Sequence, residues 1–289
     1  MFISVYSWLN FSVKVPPEQI TAVILAGGFG TRIKHLLGDL PKPMAPVNGR
    51  PFVEWVVRYL AAQGIRNVIL STGHLAETVE KHFAPPPVNV GGASVPASRA
   101  SPAQAAREDA RPTQSSYSLK NVRVTCVAET TPLGTAGGFL NAANSAKEKP
   151  AAWLVLNGDS LVVAPLEKLF ATLNHAENEG GILGVPMADA SRFGTLSQNA
   201  GGDLTGFNEK KSGAGNINAG VYLFRNSALK NFPTKLPLSF EVDVFPTLIH
   251  SGARLKTVLS EAPFLDIGTP ESLPQAESFI QNNLAHFAI

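Results

Sequence analysis

A chain of 289 residues is long enough for one large α/β unit with a sizeable core. Apolar residues make up 44% and charged residues 16%, the balance of a globular domain and not of a disordered or fibrous chain. The formal net charge of +2 argues against a nucleic-acid binder, so any basic site must be local.

The opening MFISVYSWLNFSVKV is apolar but broken by serines and Asn10. It has no charged side chain before Lys14 and no small-residue cleavage site, so it does not read as a secretory signal. It is also too short and too polar to span a bilayer. Residues 1–19 are expected to be an appended strand or a loosely held tail.

From Ile20 the pattern becomes regular. TAVILA is a nearly continuous apolar run, as expected of a parallel strand covered on both faces. A glycine turn follows it, within LAGGFGTRIKHLLGDLPKPM. PFVEWVVRYLAAQ (51–63) has helical periodicity, with proline in its first turn and Gly64 just beyond its end. NVILST and AETVEKHF read as the next strand and helix. This alternation predicts a right-handed parallel sheet with helices on both faces.

Residues 85–118, rich in Pro, Ala and Ser without apolar period, are expected to form a disordered or loosely ordered surface insertion. The sheet resumes with VRVTCVAE, helix-prone GGFLNAANSAK and WLVLNGD, then GILGVPM. FGTLSQNAGGDLTGFNEK alternates around a Gly-Gly turn and reads as an antiparallel excursion. NAGVYLF is a further strand, SFEVDVFPTLIHSG a helix, and LKTVLSE and FLDIGTPESLPQAESFIQNN close the chain. The fold class is thus α/β, one doubly wound, mostly parallel sheet over 20–289 with an inserted antiparallel β element. Cys126 has no partner for an internal disulfide, which suits a reducing cytoplasm, and its strand predicts a buried core residue.

In such a sheet ligands bind beyond the carboxyl ends of the strands, where the glycine turn lies. It is not a P-loop, because no Gly-Lys-Ser/Thr follows. It is a poor dinucleotide fingerprint as well: Gly28 and Gly30 are spaced correctly, but the third position is Ile33. Instead, LAGGFGTR followed by PKPM resembles the G-x-G-T-R and P-K signature of the sugar-1-phosphate nucleotidylyltransferases. The resemblance runs from about Ile20 to the end, omitting 85–118. It includes PLGTAGG (132–138), LNGD (156–159), the FNEK…NAG block (207–220) and LDIGT (265–269), in the expected order. Within the family, PKPMAPVNGRPFVEW and FGTL are most similar to bacterial D-glycero-α-D-manno-heptose 1-phosphate guanylyltransferases. The chain is too short for the C-terminal β-helix of the bifunctional acetyltransferase relatives.

The resemblance implies a Rossmann-like nucleotidyltransferase fold and a reaction between two anions. A sugar 1-phosphate oxygen attacks the α-phosphorus of a nucleoside triphosphate and expels pyrophosphate. Two unit charges about 4 Å apart repel by roughly 4 kcal/mol at an effective dielectric near 20. Catalysis is then chiefly positioning and electrostatic relief. By the resemblance, Leu25, Ala26, Gly27, Gly28, Gly30 and Thr31 would hold the nucleotide, whose phosphates the glycine N–H groups can approach closely. Arg32 would grip the triphosphate and departing pyrophosphate, and Lys42 the α-phosphate and incoming phosphate. Gly134 and Thr135 fall at the nucleotide. Glu209 and Lys210 match positions for sugar hydroxyls and sugar phosphate. Asn218 would contact the ring, and Thr195 helps shape that pocket. Asp159 and Asp266, far apart in sequence, match aspartates that share a Mg²⁺ ion which keeps most of its waters.

Glu129 lies five residues before Gly134, where thymidylyl- and uridylyl-transferring relatives often carry glutamine. A carboxylate only accepts hydrogen bonds, and guanine offers N1–H and N2–H₂ side by side. Facing a pyrimidine carbonyl it would oppose acceptor to acceptor, which is costly once desolvated. The residues therefore favour GTP, with magnesium as cofactor and a sugar 1-phosphate as acceptor. They leave open mannose 1-phosphate as acceptor, or a uridylyl or thymidylyl transfer to another hexose phosphate. A catalytically silent nucleotide-sugar binder would show decay at Arg32, Lys42, Asp159 or Asp266, and all four are present. No membrane insertion is expected, and a homo-oligomer stays open. In SFEVDVFP, Glu241 and Asp243 match a recurring S-x-E-x-D pattern without an evident role.

Overall fold

The structure is a computed structural model that describes residues 15–28, 33–73, 75–84, 119, 121–208 and 212–288. The 85–118 insertion and residues 1–14 of the expected extension lie outside the described residues. So do Gly30, Thr31, Arg32, Glu209 and Lys210.

In chain order, β1 (Ile20–Ala26) leads through the short α1 (Lys34–Leu37) to a hairpin of two-residue strands, β2 (Pro46–Val47) and β3 (Arg50–Pro51). Then come α2 (Phe52–Ala62), β4 (Asn67–Thr72), α3 (Ala76–Phe83), β5 (Arg123–Ala128), α4 (Thr135–Ser145), β6 (Ala152–Asn157), β7 (Ser160–Val162) and α5 (Glu167–Ala171). The second half holds β8 (Asn178–Met187), β9 (Thr195–Gln198), β10 (Leu204–Asn208), β11 (Gly215–Arg225), α6 (Phe245–His250), β12 (Arg254–Leu259), β13 (Phe264–Asp266) and α7 (Ala276–Asn282).

Nine strands form the main sheet, in the order β10–β9–β11–β6–β1–β4–β5, with β8 also on β11 and β12 on β8. The apolar runs that read as buried strands, β6, β1 and β4, lie side by side and parallel, with β5 parallel at the edge. β11 runs antiparallel to β6 and β8, and β9–β10 is the expected antiparallel excursion. The sheet is mixed, with mostly parallel central strands.

Period-two alternation sends successive side chains of β1 into two cores. Ala22 and Ile24 join α2, through Phe52, Val56, Tyr59 and Leu60, on one face. Val23 joins an aromatic cluster on the other face, where Phe139 of α4 and Trp153 of β6 meet edge to face at 5.9 Å. Phe224 of β11 stacks there on Phe240 at 5.8 Å. Cys126 departs from its expectation. It lies on the edge strand β5 and is only half-buried, because one side of β5 has no neighbouring strand. Burial and the nearby Glu80 charge push its thiol up to about 11, so it stays protonated and non-nucleophilic at neutral pH.

α2 carries a buried carboxylate that periodicity alone would not place. Glu54 accepts from Arg50 Nη1 at 2.7 Å and from Arg58 Nε at 2.9 Å, and lies 2.8 Å from His82 Nε2 of α3. Burial opposes its charge, but the His82 and Arg58 hydrogen bonds and the two arginine charges outweigh that and pull it down to about 2. Arg58 Nη1 also donates to the Ala288 carbonyl, tying the end of the chain to α2. Among the described residues no helix is long and apolar enough to cross a membrane.

Candidate active site

The four parallel strands deliver their next residues to one cleft of about 730 Å³. β1 runs into Gly27 and Gly28, β4 into Gly73, β5 into Glu129, and β6 ends at Asn157, two residues before Asp159; all six line it. Leu25, Lys42, Gly134 and Thr135 line it too, so eight of the residues expected from the sequence meet in one place. Ala26 is buried and is not among the lining residues.

Lys42 is aimed by its neighbours. Pro41 and Pro43 fix the backbone around it, and Lys42–Met44 forms one 3-10 turn. Its ammonium donates to Asp159 Oδ2 at 2.6 Å and lies 3.9 Å from Asp266 Oδ1. The two aspartates come together through strand pairing. β7 and β13 are antiparallel with Ser160 opposite Asp266, and the Ile267 N–H donates to the Asp159 carbonyl at 3.0 Å. Asp266 Oδ1 also accepts a short bond of 2.5 Å from the Gly268 N–H.

Two partly exposed carboxylates that share one ammonium are suited to holding a divalent cation between them. Their side chains keep 40% and 26% exposure, which leaves access for water and phosphate oxygens. Among the described residues no cluster of three or more acidic, His or Cys groups could cage a metal by itself. A cation here would therefore take further ligands from solvent or substrate.

At the other end of the cleft Glu129 is half-buried and oriented from two sides. Its Oε1 accepts from Ser71 Oγ and its Oε2 from the Leu133 N–H, each at 3.2 Å. Each oxygen retains a second acceptor site. The PLGT turn below it is clamped: Leu238 N donates to the Leu133 carbonyl at 2.8 Å, and Ala136 N to the Leu238 carbonyl at 2.9 Å. Gly134 has φ +79°, and a Cβ there would stand 2.5 Å from that Leu238 oxygen. Glycine is required at this position.

Asn218 and Thr195 do not line this cleft. They lie on β11 and β9, where the Asn218 N–H donates to the Gly194 carbonyl at 3.0 Å and Thr195 pairs with Ile217. β11 pairs Val221 with Leu156, so Asn218 lies beyond the carboxyl end of β6 on the Asp159 side. Gly220, at φ +70°, packs its α-carbon against the Asn157 side chain, which a Cβ would overlap.

The nucleotidyl transferase family model matches residues 21–283. The chain belongs to this family. It is 30% identical over 262 residues to the D-glycero-alpha-D-manno-heptose 1-phosphate guanylyltransferase of Aneurinibacillus thermoaerophilus, covering 90% of this chain and 98% of that one. It is 28% identical over 271 residues to the mannose-1-phosphate guanylyltransferase of Mycobacterium tuberculosis, covering 93% of this chain and 66% of that one. In structure it resembles HddC from Yersinia pseudotuberculosis complexed with GMP-PN, with TM-score 0.68 and 28% identity over 90% of this chain and 99% of that one.

This nucleotidyl transferase also places residues in the cleft that the sequence reading did not single out: Gly73, Thr130, Asn157 and Gly268. Asn157 and Gly268 lie inside LNGD and LDIGT, so the motifs contained them. Gly73 could have been found as the residue directly after a predicted parallel strand.

Proposed function

We propose that this enzyme transfers GMP from GTP to a heptose 1-phosphate, giving a GDP-sugar and pyrophosphate. A phosphate oxygen of the sugar 1-phosphate attacks the α-phosphorus, the α–β bridging bond breaks, and pyrophosphate leaves with that bond's electron pair. The observation that carries the reading is the Lys42 ammonium shared by Asp159 and Asp266 in one cleft with the glycine turn and Glu129.

The backbone of Gly27 and Gly28 lets the nucleotide phosphates approach. Glu129, acceptor-only and held by Ser71 and Leu133, turns its remaining acceptor sites to the N1–H and N2–H₂ edge of guanine. Asp159 and Asp266 would hold Mg²⁺. When bound, that ion neutralises phosphate charge and aligns the α-phosphate. Lys42, with one long flexible stem and three donors, then follows the phosphate oxygens on which charge gathers. Arg32, Glu209 and Lys210 keep the roles the resemblance implies: triphosphate grip, sugar hydroxyls and sugar phosphate.

Pyrophosphate release, with each nucleoside triphosphate crossed against heptose, mannose and glucose 1-phosphates, tests the reading. GTP with a heptose 1-phosphate should give the highest kcat/KM. A preference for mannose 1-phosphate would correct the sugar, and a preference for a pyrimidine nucleotide would overturn the role of Glu129.

A further inference from the structure

The two acidic residues of SFEVDVFP serve different ends. The segment makes a π-helical turn, Phe240–Val244, in which Ser239 Oγ accepts from the Val242 N–H. Asp243 turns back on this element: its Oδ2 accepts from the Ser239 N–H at 2.9 Å, and its Oδ1 pairs with Lys235 at 2.6 Å. It holds the turn together. Glu241 reaches across to β11 instead. Its Oε1 accepts from Asn218 Nδ2 at 3.2 Å and receives the Tyr222 hydroxyl at 3.5 Å. That hydroxyl accepts in turn from Asn218 Nδ2 at 2.9 Å, closing a ring of three side chains.

Counting donors shows what the ring does. The Asn218 carboxamide has two N–H hydrogens, and the ring gives one to Tyr222 and one to Glu241. Its Oδ1 accepts from the Gly220 N–H at 2.9 Å, which fixes which end of the amide is oxygen and leaves one acceptor site on it. A flipped amide would set N–H₂ against the Gly220 N–H and oxygen against the Glu241 carboxylate, so both neighbours oppose the flip. Tyr222 is fully buried; burial first, then the Glu241 charge, hold its hydroxyl well above the ordinary range, so it remains a proton donor to the carboxylate. The Asp159 charge acts on the same hydroxyl, so the ring lies within electrostatic reach of the reacting centre.

We propose that Glu241 is a positioning residue for sugar recognition. With Tyr222 it takes both amide hydrogens of Asn218, so that Asn218 meets the sugar 1-phosphate through its carbonyl oxygen, as a hydrogen-bond acceptor. The sugar position facing it must then carry a hydroxyl that donates. This inference rests on the sugar 1-phosphate reading above.

Glu241 is exposed, so its substitution should not disturb the core. Glu241→Ala should raise KM for the sugar 1-phosphate about tenfold, the scale of one well-placed hydrogen bond. KM for the nucleoside triphosphate should stay within about twofold, Tm should be unchanged, and kcat should move less than the sugar KM. Glu241→Gln keeps an oxygen that accepts from Asn218, and should bring the sugar KM back to within about threefold of the parent enzyme. A sugar KM in Glu241→Ala within twofold of the parent overturns the proposal. So does a parallel rise of both KM values with a lowered Tm, since that is what a merely structural residue gives. A parent enzyme inactive on every sugar 1-phosphate would overturn the underlying reading, whereas an active parent with a silent Glu241→Ala overturns this inference alone.

Discussion

Lys42 and its two aspartates set the charge balance of the site, and each is replaceable without emptying the core, because all three sit at the cleft surface. Removing the ammonium takes away the one described cation beside both carboxylates. The transition state gathers charge on phosphate oxygens there, and a lost preorganised donor typically costs about 10²–10³ in kcat. Lys42→Ala and Asp159→Asn should each lower kcat by at least that factor with Tm within a few degrees; steady-state pyrophosphate release and a thermal melt check both. Glu129 yields a sharper test, of selectivity and not of rate. In Glu129→Gln the Leu133 N–H still requires an oxygen opposite it, which turns the new amide nitrogen toward Ser71. Ser71 can accept from that nitrogen and donate instead to the Gly138 carbonyl, 3.1 Å away. The edge offered to the base then carries a donor beside an acceptor, which suits N3–H and O4 of a pyrimidine. The ratio of kcat/KM for GTP over UTP should fall about tenfold or more, measured by competition between the two nucleotides.

At the scale of elements, much of the site was legible because parallel strands announce themselves as apolar runs and their next residues must face the ligand. TAVILA, NVILST and WLVLN gave β1, β4 and β6, and with them Gly27, Gly28 and Asp159. Pairing was not legible. Nothing in LVV or FLD states that β7 and β13 face each other with Ser160 opposite Asp266, so the junction of the two aspartates rested on family resemblance alone. The α2–α3 contact was equally hidden, because helical period places Glu54 on a helix without saying that all of its faces are covered. That covering has a thermodynamic consequence. An ordinary glutamate titrates near 4.5 and Glu54 at about 2, so the fold favours its ionised form. The stabilisation is present in full above about pH 4.5 and is lost as pH falls toward 2, amounting to about 3 kcal/mol. Glu54→Gln leaves Arg58 buried without its partner and should destabilise the protein by about 3 kcal/mol at neutral pH. Chemical denaturation at pH 7 and pH 3 checks both statements, since the gap between the parent and Glu54→Gln should narrow in acid.

The whole molecule draws its reaction centre from both ends of the chain: Leu25 to Pro43 from the first strand and its loop, Glu129 to Thr135 from the middle, Asp266 and Gly268 from near the end. A ligand that bridges these segments binds only the folded chain, so it must stabilise the whole. At a free GTP concentration about 100-fold above Kd the gain is about 2.7 kcal/mol. For a domain of this size that should raise Tm by roughly 6 °C in the presence of magnesium. The fold itself has no visible need of the ion. Its two cores are apolar, and among the described residues only the exposed pair Asp159 and Asp266 is placed to hold a cation, with the rest of the coordination left to water and phosphate. A chelator should therefore leave Tm of the nucleotide-free protein unchanged and abolish most of the rise produced by GTP. Differential scanning fluorimetry with and without EDTA measures both. A chelator-induced drop of several degrees without nucleotide would reveal a structural metal, and a GTP-induced rise that survives EDTA would remove the ion from nucleotide binding. Asp266→Asn should reproduce the chelator's effect in the presence of magnesium, because neutralising either carboxylate of a two-carboxylate site leaves too little charge to draw the ion out of water.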